Sequence, residues 1–415
     1  MDRKRVEIAI LYQFTRNWVA GAYSIQNLIV ELNTLNDENK PLINVYCNGK
    51  EYFQELKETT DYPYLVEHFY DFKEKYFLVK VLNKFKALLD YNHYKKTGAL
   101  NLSKTDNVLV YPVSDLADIK FFKHTLVWIP DFQEKYLPSL FSQKDLFFRK
   151  KMQECYVNNN VPIVFSSKDS ENDFKKFYPK ANNKTFVLQF AVFHPDFSEV
   201  SINVIRAKYN ILGDYFFCAN QFWKHKNHLF LFKAYKQYLD QGGRKLLVCS
   251  GALSDFRNKS YNNEIKQFIY DNRLENKIKI LGFIDRLEQL CLMNKSYAII
   301  QPSLFEGWST VVEDAKKLNK FIFLSNLRVH IEQNPVNVCY FDPYDITDIV
   351  SKLLNVKPTA ISNVYDSNMV KFGKDFILGW NINIMDSDCH KIIETSNKKI
   401  INNINIGNHV WICSN

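Results

Sequence analysis

Between Asp214 and Val356 short apolar runs alternate with helical patterns, and this alternation restricts the fold more than any other feature of the chain. "DYFFCAN", "RKLLVCSG", "KIKILGFI", "YAIIQPS" and "KFIFLSN" have strand length and are rich in apolar residues, as strands buried on both faces are. Among them lie "HLFLFKAYKQYLDQGG", "NNEIKQFIYDNRL" and "RLEQLCLMNK", which read as helices, and "ITDIVSKLLNV" closes the series after "CYFDPYD". Strands that alternate with helices predict a parallel sheet.

The first half repeats the pattern. "VEIAILYQF" (Val6–Phe14) reads as a strand and "YSIQNLIVELNTL" as a helix, followed by strands "LINVYC", "NVLVYP", "HTLVWIP" and "VPIVFSS". A polar break, "HPDFSEVS" (His194–Ser201), separates the halves. The expected fold class is α/β, with two Rossmann-like domains, 1–193 and 194–357, facing across a cleft. Ligands of such folds sit beyond the carboxyl ends of the strands. Residues 369–415 differ: apolar-Gly pairs recur at Phe372-Gly373, Leu378-Gly379 and Ile406-Gly407. The first two are six residues apart, and a six-residue period predicts a partial, β-helix-like, hexapeptide-repeat tail.

Composition removes several function classes. No apolar stretch reaches the roughly 18 residues of a membrane-crossing helix. The start, "MDRKRVEIAILYQF", lacks the apolar length and cleavage site of a signal peptide. The 8 cysteines form no Cys-x-x-Cys pair and several sit in apolar runs, which suits buried thiols in a reducing cytoplasm. The net charge of +9 comes from 54 basic residues mixed with 45 acidic ones. It fits an anionic ligand or surface, but no basic stripe or nucleic-acid motif accompanies it. "FKEKYFLVKVLNKFKALLDYNHYKK" (Phe72–Lys96) is a basic amphipathic candidate for peripheral contact with an anionic membrane; a helix packed on the first sheet is the plainer reading. The 9 histidines show no metal-ligand cluster, so no metal and no cofactor are expected.

The candidate site is "QPSLFEGWSTVVEDAKKLNK" (Gln301–Lys320), read as a strand end, a loop and a helix. Ser309 or Thr310 suits the N-cap, and Val311, Ala315 and Leu318 form the apolar stripe. Free amides and the dipole at such a helix start attract an anion, and Gly307 permits close approach. Thr310 and Asp314, four residues apart, share one face. A carboxylate there can accept hydrogen bonds from hydroxyls beside a phosphate, the pairing that a nucleotide diphosphate sugar offers.

"SLFEGWSTVVEDAKKLNKFIFLSN" with "YFDPYD" resembles the retaining glycosyltransferases of family 4, which have the GT-B fold. "NQFWKHKNHLFLFKAYK", "KILGFIDRLEQL", "WVAGAYSIQNLIVEL", "WIPDFQEKYLP" and "VFSSKDSENDF" extend the resemblance over about Val6 to Val356. It implies that Glu306 contacts the donor sugar near its reacting carbon and that Lys226 meets the diphosphate. Lys224 would share that charge, since Asn220 and Gln221 stand where the family often has an arginine. Gly307, Trp308, Ser309 and Thr310 would contact diphosphate and sugar. Gly282 and Phe283 belong to the nucleobase stretch, and Gly21 to the N-terminal glycine loop. The second acid, which holds the ribose, is Asp314 or its neighbour Glu313. Asp131 and Glu134 would face acceptor or donor sugar.

The implied activity is metal-independent hexosyl transfer from a nucleotide diphosphate sugar co-substrate to a glycan or lipid-linked acceptor. Its setting would be surface polysaccharide synthesis, in the cytoplasm or peripherally on the inner membrane face. The tail resembles hexapeptide-repeat acyltransferases, with His390 at their Asp-x-His motif. Two other readings stay open: a bifunctional glycosyltransferase/O-acetyltransferase, and a non-catalytic nucleotide-sugar-binding protein.

Overall fold

The first strand, β1 (Glu7–Leu11), is an interior strand, third from one edge, of a parallel sheet of seven. It pairs with β2 (Leu42–Cys47) on one side and β4 (Leu109–Val113) on the other. The sheet continues outward through β3 (Leu65–Phe69) at one edge and β5 (His124–Ile129), β6 (Ile163–Phe165) and β7 (Thr185–Val187) at the other. The structure is a computed structural model describing residues 5–12, 19–47, 49–69, 109–113, 124–255, 257–258, 260–358, 371–372 and 405–406. The helices of this domain are α1 (Val19–Leu32), α2 (Lys50–Thr60), α3 (Gln133–Tyr136), α4 (Gln143–Asn158) and α5 (Lys168–Phe177).

The second domain opens with α6 (Ile202–Lys208). Its six parallel strands are β8 (Tyr215–Ala219), β9 (Leu246–Ser250), β10 (Ile278–Ile280), β11 (Ala298–Gln301), β12 (Ile322–Ser325) and β13 (Val338–Phe341). They lie in the order β10-β9-β8-β11-β12-β13. The helices are α7 (His228–Asp240), α8 (Tyr261–Asp271), α9 (Arg286–Lys295), α10 (Thr310–Lys317), α11 (Arg328–Gln333) and α12 (Ile346–Asn355). Alternate residues of β8 face opposite cores: Phe216 and Cys218 join one, with Leu231, Tyr235 and Ile349, while Tyr215 and Phe217 join the other, with Val312 and Ala315. Covering both faces is what the continuous apolar strands require.

Two Rossmann-like parallel α/β domains are thus the architecture, as the alternation predicted. In each sheet the strand order reverses beside the first strand, at β1/β4 and at β8/β11. Such a reversal opens a crevice at the strands' carboxyl ends. "LINVYC" and "RLEQLCLMNK" coincide with β2 and α9. α1 begins at Val19, before the expected Tyr23, so Gly21 lies inside its first turn rather than in a loop. Among the described residues no helix is long and apolar enough to cross a membrane. The membrane-contact candidate 72–96 and the motif at Asp388 and His390 lie outside the described residues. Of the tail, β14 (Lys371–Phe372) and β15 (Asn405–Ile406) form a separate parallel pair.

Candidate active site

A cleft of about 1190 Å³ lies between the domains. It exceeds the roughly 300–1,000 Å³ of ordinary small-ligand pockets, so it has room for a large ligand or two. Its lining includes Leu11, Tyr12 and Pro112 from the first sheet's switch point, and Ala219 and Asn220 from the second's. The site is therefore built at the ends of β1, β4 and β8, with the loop after β11 as its floor.

At the end of β11 the fully buried Gln301 organises that floor. Its Oε1 accepts from Asn220 Nδ2 at 2.5 Å, closing the gap between β8 and β11. Its Nε2 lies 3.0 Å from Glu306 Oε1 and 3.2 Å from Ser309 Oγ. Glu306 Oε1 also accepts from Ser303 Oγ at 2.6 Å and from Lys226 Nζ at 2.6 Å. Three donors thus converge on one carboxylate oxygen, which fixes the rotamer, and Oε2 has no protein hydrogen bond among the described residues. Lys226 ends the short 3-10 turn Lys224–Lys226, and Asn227 reverses the chain into α7 in the left-handed region, at φ 62°. That turn is what aims Lys226 across at the loop.

Ser309 occupies the N-cap position of α10, but its hydroxyl makes no cap bond. The bond from Gln301 Nε2 holds it instead. The first amides of a helix have no partner within it, and Thr310 and Val311 line the cleft. Trp308 is buried, its Nε1 donating to Phe190 O at 2.8 Å, so the loop is tied to the first domain. Gly307 lines the cleft, yet the atoms crowding it belong to protein. A Cβ there would lie 2.5 Å from Pro130 O, so the glycine admits the first domain's backbone as well as any ligand.

The two candidate ribose acids separate clearly. Asp314 lines the cleft, where Arg286 Nη1 and Nη2 donate to its two oxygens at 2.9 and 2.5 Å and His194 Nε2 lies at 2.9 Å. Burial pushes its carboxyl up, but Arg286 and His194 outweigh burial and hold it below the ordinary value. Glu313 does not line the cleft: it bonds Gln333 Nε2 at 2.8 Å and Lys316, and burial raises its carboxyl. Phe283 lines the cleft and is 65% exposed, which leaves its ring face free to stack. Gly282, behind it, adopts φ 74° and does not line the cleft.

On the opposite wall Asp131 lines the cleft, and burial raises its carboxyl, with Arg149 opposing. Glu134 is buried away from the lining, against Gln153 Nε2 at 2.9 Å and Arg149 at 3.3 Å. Lys224 is exposed and not in the lining; its backbone N–H donates to Asp255 Oδ2 at 2.9 Å. The cation that does reach the cleft near Lys226 is Arg257. Its Nη1 donates across the domains to Gln133 Oε1 at 3.0 Å, and its Nη2 to His225 Nδ1 at 3.3 Å. Burial, then Lys226 and Arg257, hold His225 well below its ordinary value, so it is neutral and free to accept that bond.

Sequence reasoning missed Gln301, Ser303, Arg286, His194 and Arg257. Gln301 and Ser303 carried a usable signal, being polar residues at the end of a buried strand. Arg257 and His194 carried none, because they are brought in from remote positions.

Residues 202–358 match the family described as "Glycosyl transferases group 1". That span runs from the start of α6 to just beyond α12 and so coincides with the second domain. The chain is 26% identical over 247 residues to the O-antigen chain mannosyltransferase RfbU of Salmonella typhimurium, a match over 59% of this chain and 64% of that relative's length. In structure it resembles a Rickettsia africae glycosyltransferase (TM-score 0.55, 16% identity, 85% of this chain and 88% of that one). It also resembles Anabaena Alr3699/HepE, solved with UDP and glucose (TM-score 0.56, 16% identity, 84% and 89%). The two-domain architecture is the GT-B fold.

Beneath the loop, His330 is fully buried with Nδ1 2.9 Å from Ser325 O and Nε2 without a partner. Burial pulls its pKa down to about 4, against an opposing pull from Glu306. The unfolded chain, with a pKa near 6.5, therefore takes up this proton first as pH falls. Stability should be full above about pH 6.5 and decline toward pH 4, by about 3 kcal/mol in total for this group. Denaturant melts of wild type and His330→Asn across that window check it: the variant should show a shallower decline, and an equal slope would exclude the histidine.

Proposed function

We propose that the protein transfers a sugar from a nucleotide diphosphate sugar to a glycan or lipid-linked acceptor. The transfer is metal-independent and retains configuration, as in family 4, and serves surface polysaccharide assembly (capsule or lipopolysaccharide) on the cytoplasmic side. The observation that carries this reading is the Lys226–Glu306 contact at 2.6 Å, beside the N-terminus of α10 and at the carboxyl ends of β8 and β11.

As the bond to the anomeric carbon breaks, negative charge grows on the leaving diphosphate. A preorganised cation and helix amides stabilise that charge without reorganising, usually the largest contribution in such catalysis. Lys226 and the first turn of α10 are those groups. Glu306 Oε2 then faces the sugar, Asp314 the ribose and Phe283 the base, with Asp131 on the acceptor side. The Anabaena structure with UDP and glucose supports the donor class, and the O-antigen relative supports the pathway class.

A panel of UDP-, GDP- and other nucleotide sugars tests the reading, scored by thermal shift and donor hydrolysis. At least one donor should stabilise the protein and be hydrolysed. Lys226→Ala should weaken binding of the matching nucleoside diphosphate by roughly 10–100-fold, the value of hydrogen bonds to a charged group. No shift with any donor would sink the reading. A shift without turnover, even with acceptor extracts present, would favour a binding protein instead.

A further inference from the structure

The short helix α11 (Arg328–Gln333) touches both domains, and its two faces do different things. Toward the first domain, Glu332 accepts hydrogen bonds from the backbone N–H of Lys168 at 2.7 Å and of Asp169 at 2.9 Å, and from Gln189 Nε2 at 2.6 Å. Lys168 and Asp169 begin α5, so a carboxylate of the second domain stands at the positive end of a helix in the first. Arg328 adds to the grip: its Nε lies 2.9 Å from Asp169 Oδ1, and its Nη2 3.1 Å from Asp173 Oδ1 and 3.0 Å from Tyr136 Oη.

The next residue, Gln333, points the other way and is fully buried. Its Oε1 accepts from Ser309 N at 3.2 Å, and its Nε2 donates to Ser309 O at 2.9 Å and to Glu313 Oε1 at 2.8 Å. One side-chain amide thus brackets the residue at the start of α10. Glu332 and Gln333 are consecutive in a six-residue helix, so a rotation that releases one disturbs the other.

We propose that α11 is a positioning element that couples the clasp between the domains to the loop at Glu306–Glu313. With the clasp made, Gln333 holds Ser309 and Glu313 in the geometry that presents the start of α10 to the cleft. With the clasp open, that loop loosens. The coupling itself needs no ligand; its consequence for donor binding rests on the proposed function. Coupling between two sites is reciprocal in free energy, so a ligand that orders the loop also tightens the clasp.

Backbone hydrogen exchange of the full chain, without nucleotide, tests it. Glu332→Ala should accelerate exchange of the amides of Glu306–Glu313 by about fivefold or more, the lower bound of typical couplings, although the hydrogen bonds of Glu332 go to Lys168, Asp169 and Gln189 and not to that loop. Arg328→Ala should act in the same direction and serves if Glu332→Ala folds poorly. By reciprocity Gln333→Ala should accelerate exchange at the start of α5. Leu353→Ala, a core truncation in α12, controls for general loosening and should not reproduce the pattern. Unchanged exchange at Glu306–Glu313 in both Glu332→Ala and Arg328→Ala, or the same pattern in Leu353→Ala, overturns the proposal. A second arm measures UDP and GDP affinity in Glu332→Ala, Gln333→Ala and the double variant. Coupling predicts that the two fold-changes do not multiply, and simple multiplication counts against it. If neither wild type nor variants bind nucleotide, the functional reading fails, while the exchange result still decides the coupling.

Discussion

Glu306→Gln should lower turnover of the productive nucleotide sugar by roughly 10²–10³-fold, while nucleoside diphosphate affinity stays within about threefold. The substitution keeps an oxygen able to receive the bonds from Lys226, Ser303 and Gln301, so the loop should keep its shape. What it removes is the negative charge facing the sugar. A residue that only held Lys226 in place would show the opposite pattern, with altered nucleotide affinity and little change in turnover. Steady-state hydrolysis and calorimetric titration with the nucleoside diphosphate separate the two cases. A rate within a few-fold of wild type would remove Glu306 from the chemistry.

Asp314→Ala should be the most destabilising single change in the site. It strands the Arg286 guanidinium, whose side chain is 23% exposed, and removes the partner of His194. Breaking a buried pair by deleting one partner costs about 3–5 kcal/mol, because the remaining charge keeps its desolvation penalty. For a domain of this size that is roughly a 6–20 °C fall in the melting temperature of the second domain, readable by calorimetry. Glu313→Gln should cost far less, since an amide can still accept from Gln333 and Lys316. The double variant Asp314→Ala/Arg286→Met should recover part of the loss. A melting temperature within 2 °C or so of wild type for Asp314→Ala would mean that the pair carries little stability.

The two acids also show how far sequence reasoning reaches. Local spacing placed Glu306 in a loop after a buried strand and placed Thr310 and Asp314 on one helical face, and both features follow from periodicities of backbone geometry. The same spacing left Asp314 and Glu313 as rivals, because adjacent residues on a helix differ by about 100° and either face can turn toward a ligand. Gln333 and Lys316 draw Glu313 inward, while Arg286 and His194 hold Asp314 at the cleft. Lys224 and Lys226 divide in the same way: a single 3-10 turn sends one to solvent and the other to Glu306.

By itself the sequence determined the alternation of strands and helices, hence two parallel-sheet domains with a cleft beyond the strands' carboxyl ends; the strand order and its switch points came from the structure. The alternation depends on apolar periodicity, which is written locally. Only the tertiary structure decided which charges meet. Arg257 reaches Gln133, Glu332 reaches the start of α5, and Pro130 closes on Gly307 across more than a hundred residues of chain. Such contacts are set by how the two domains pack, and no local pattern encodes the distance between residues on opposite walls of a cleft.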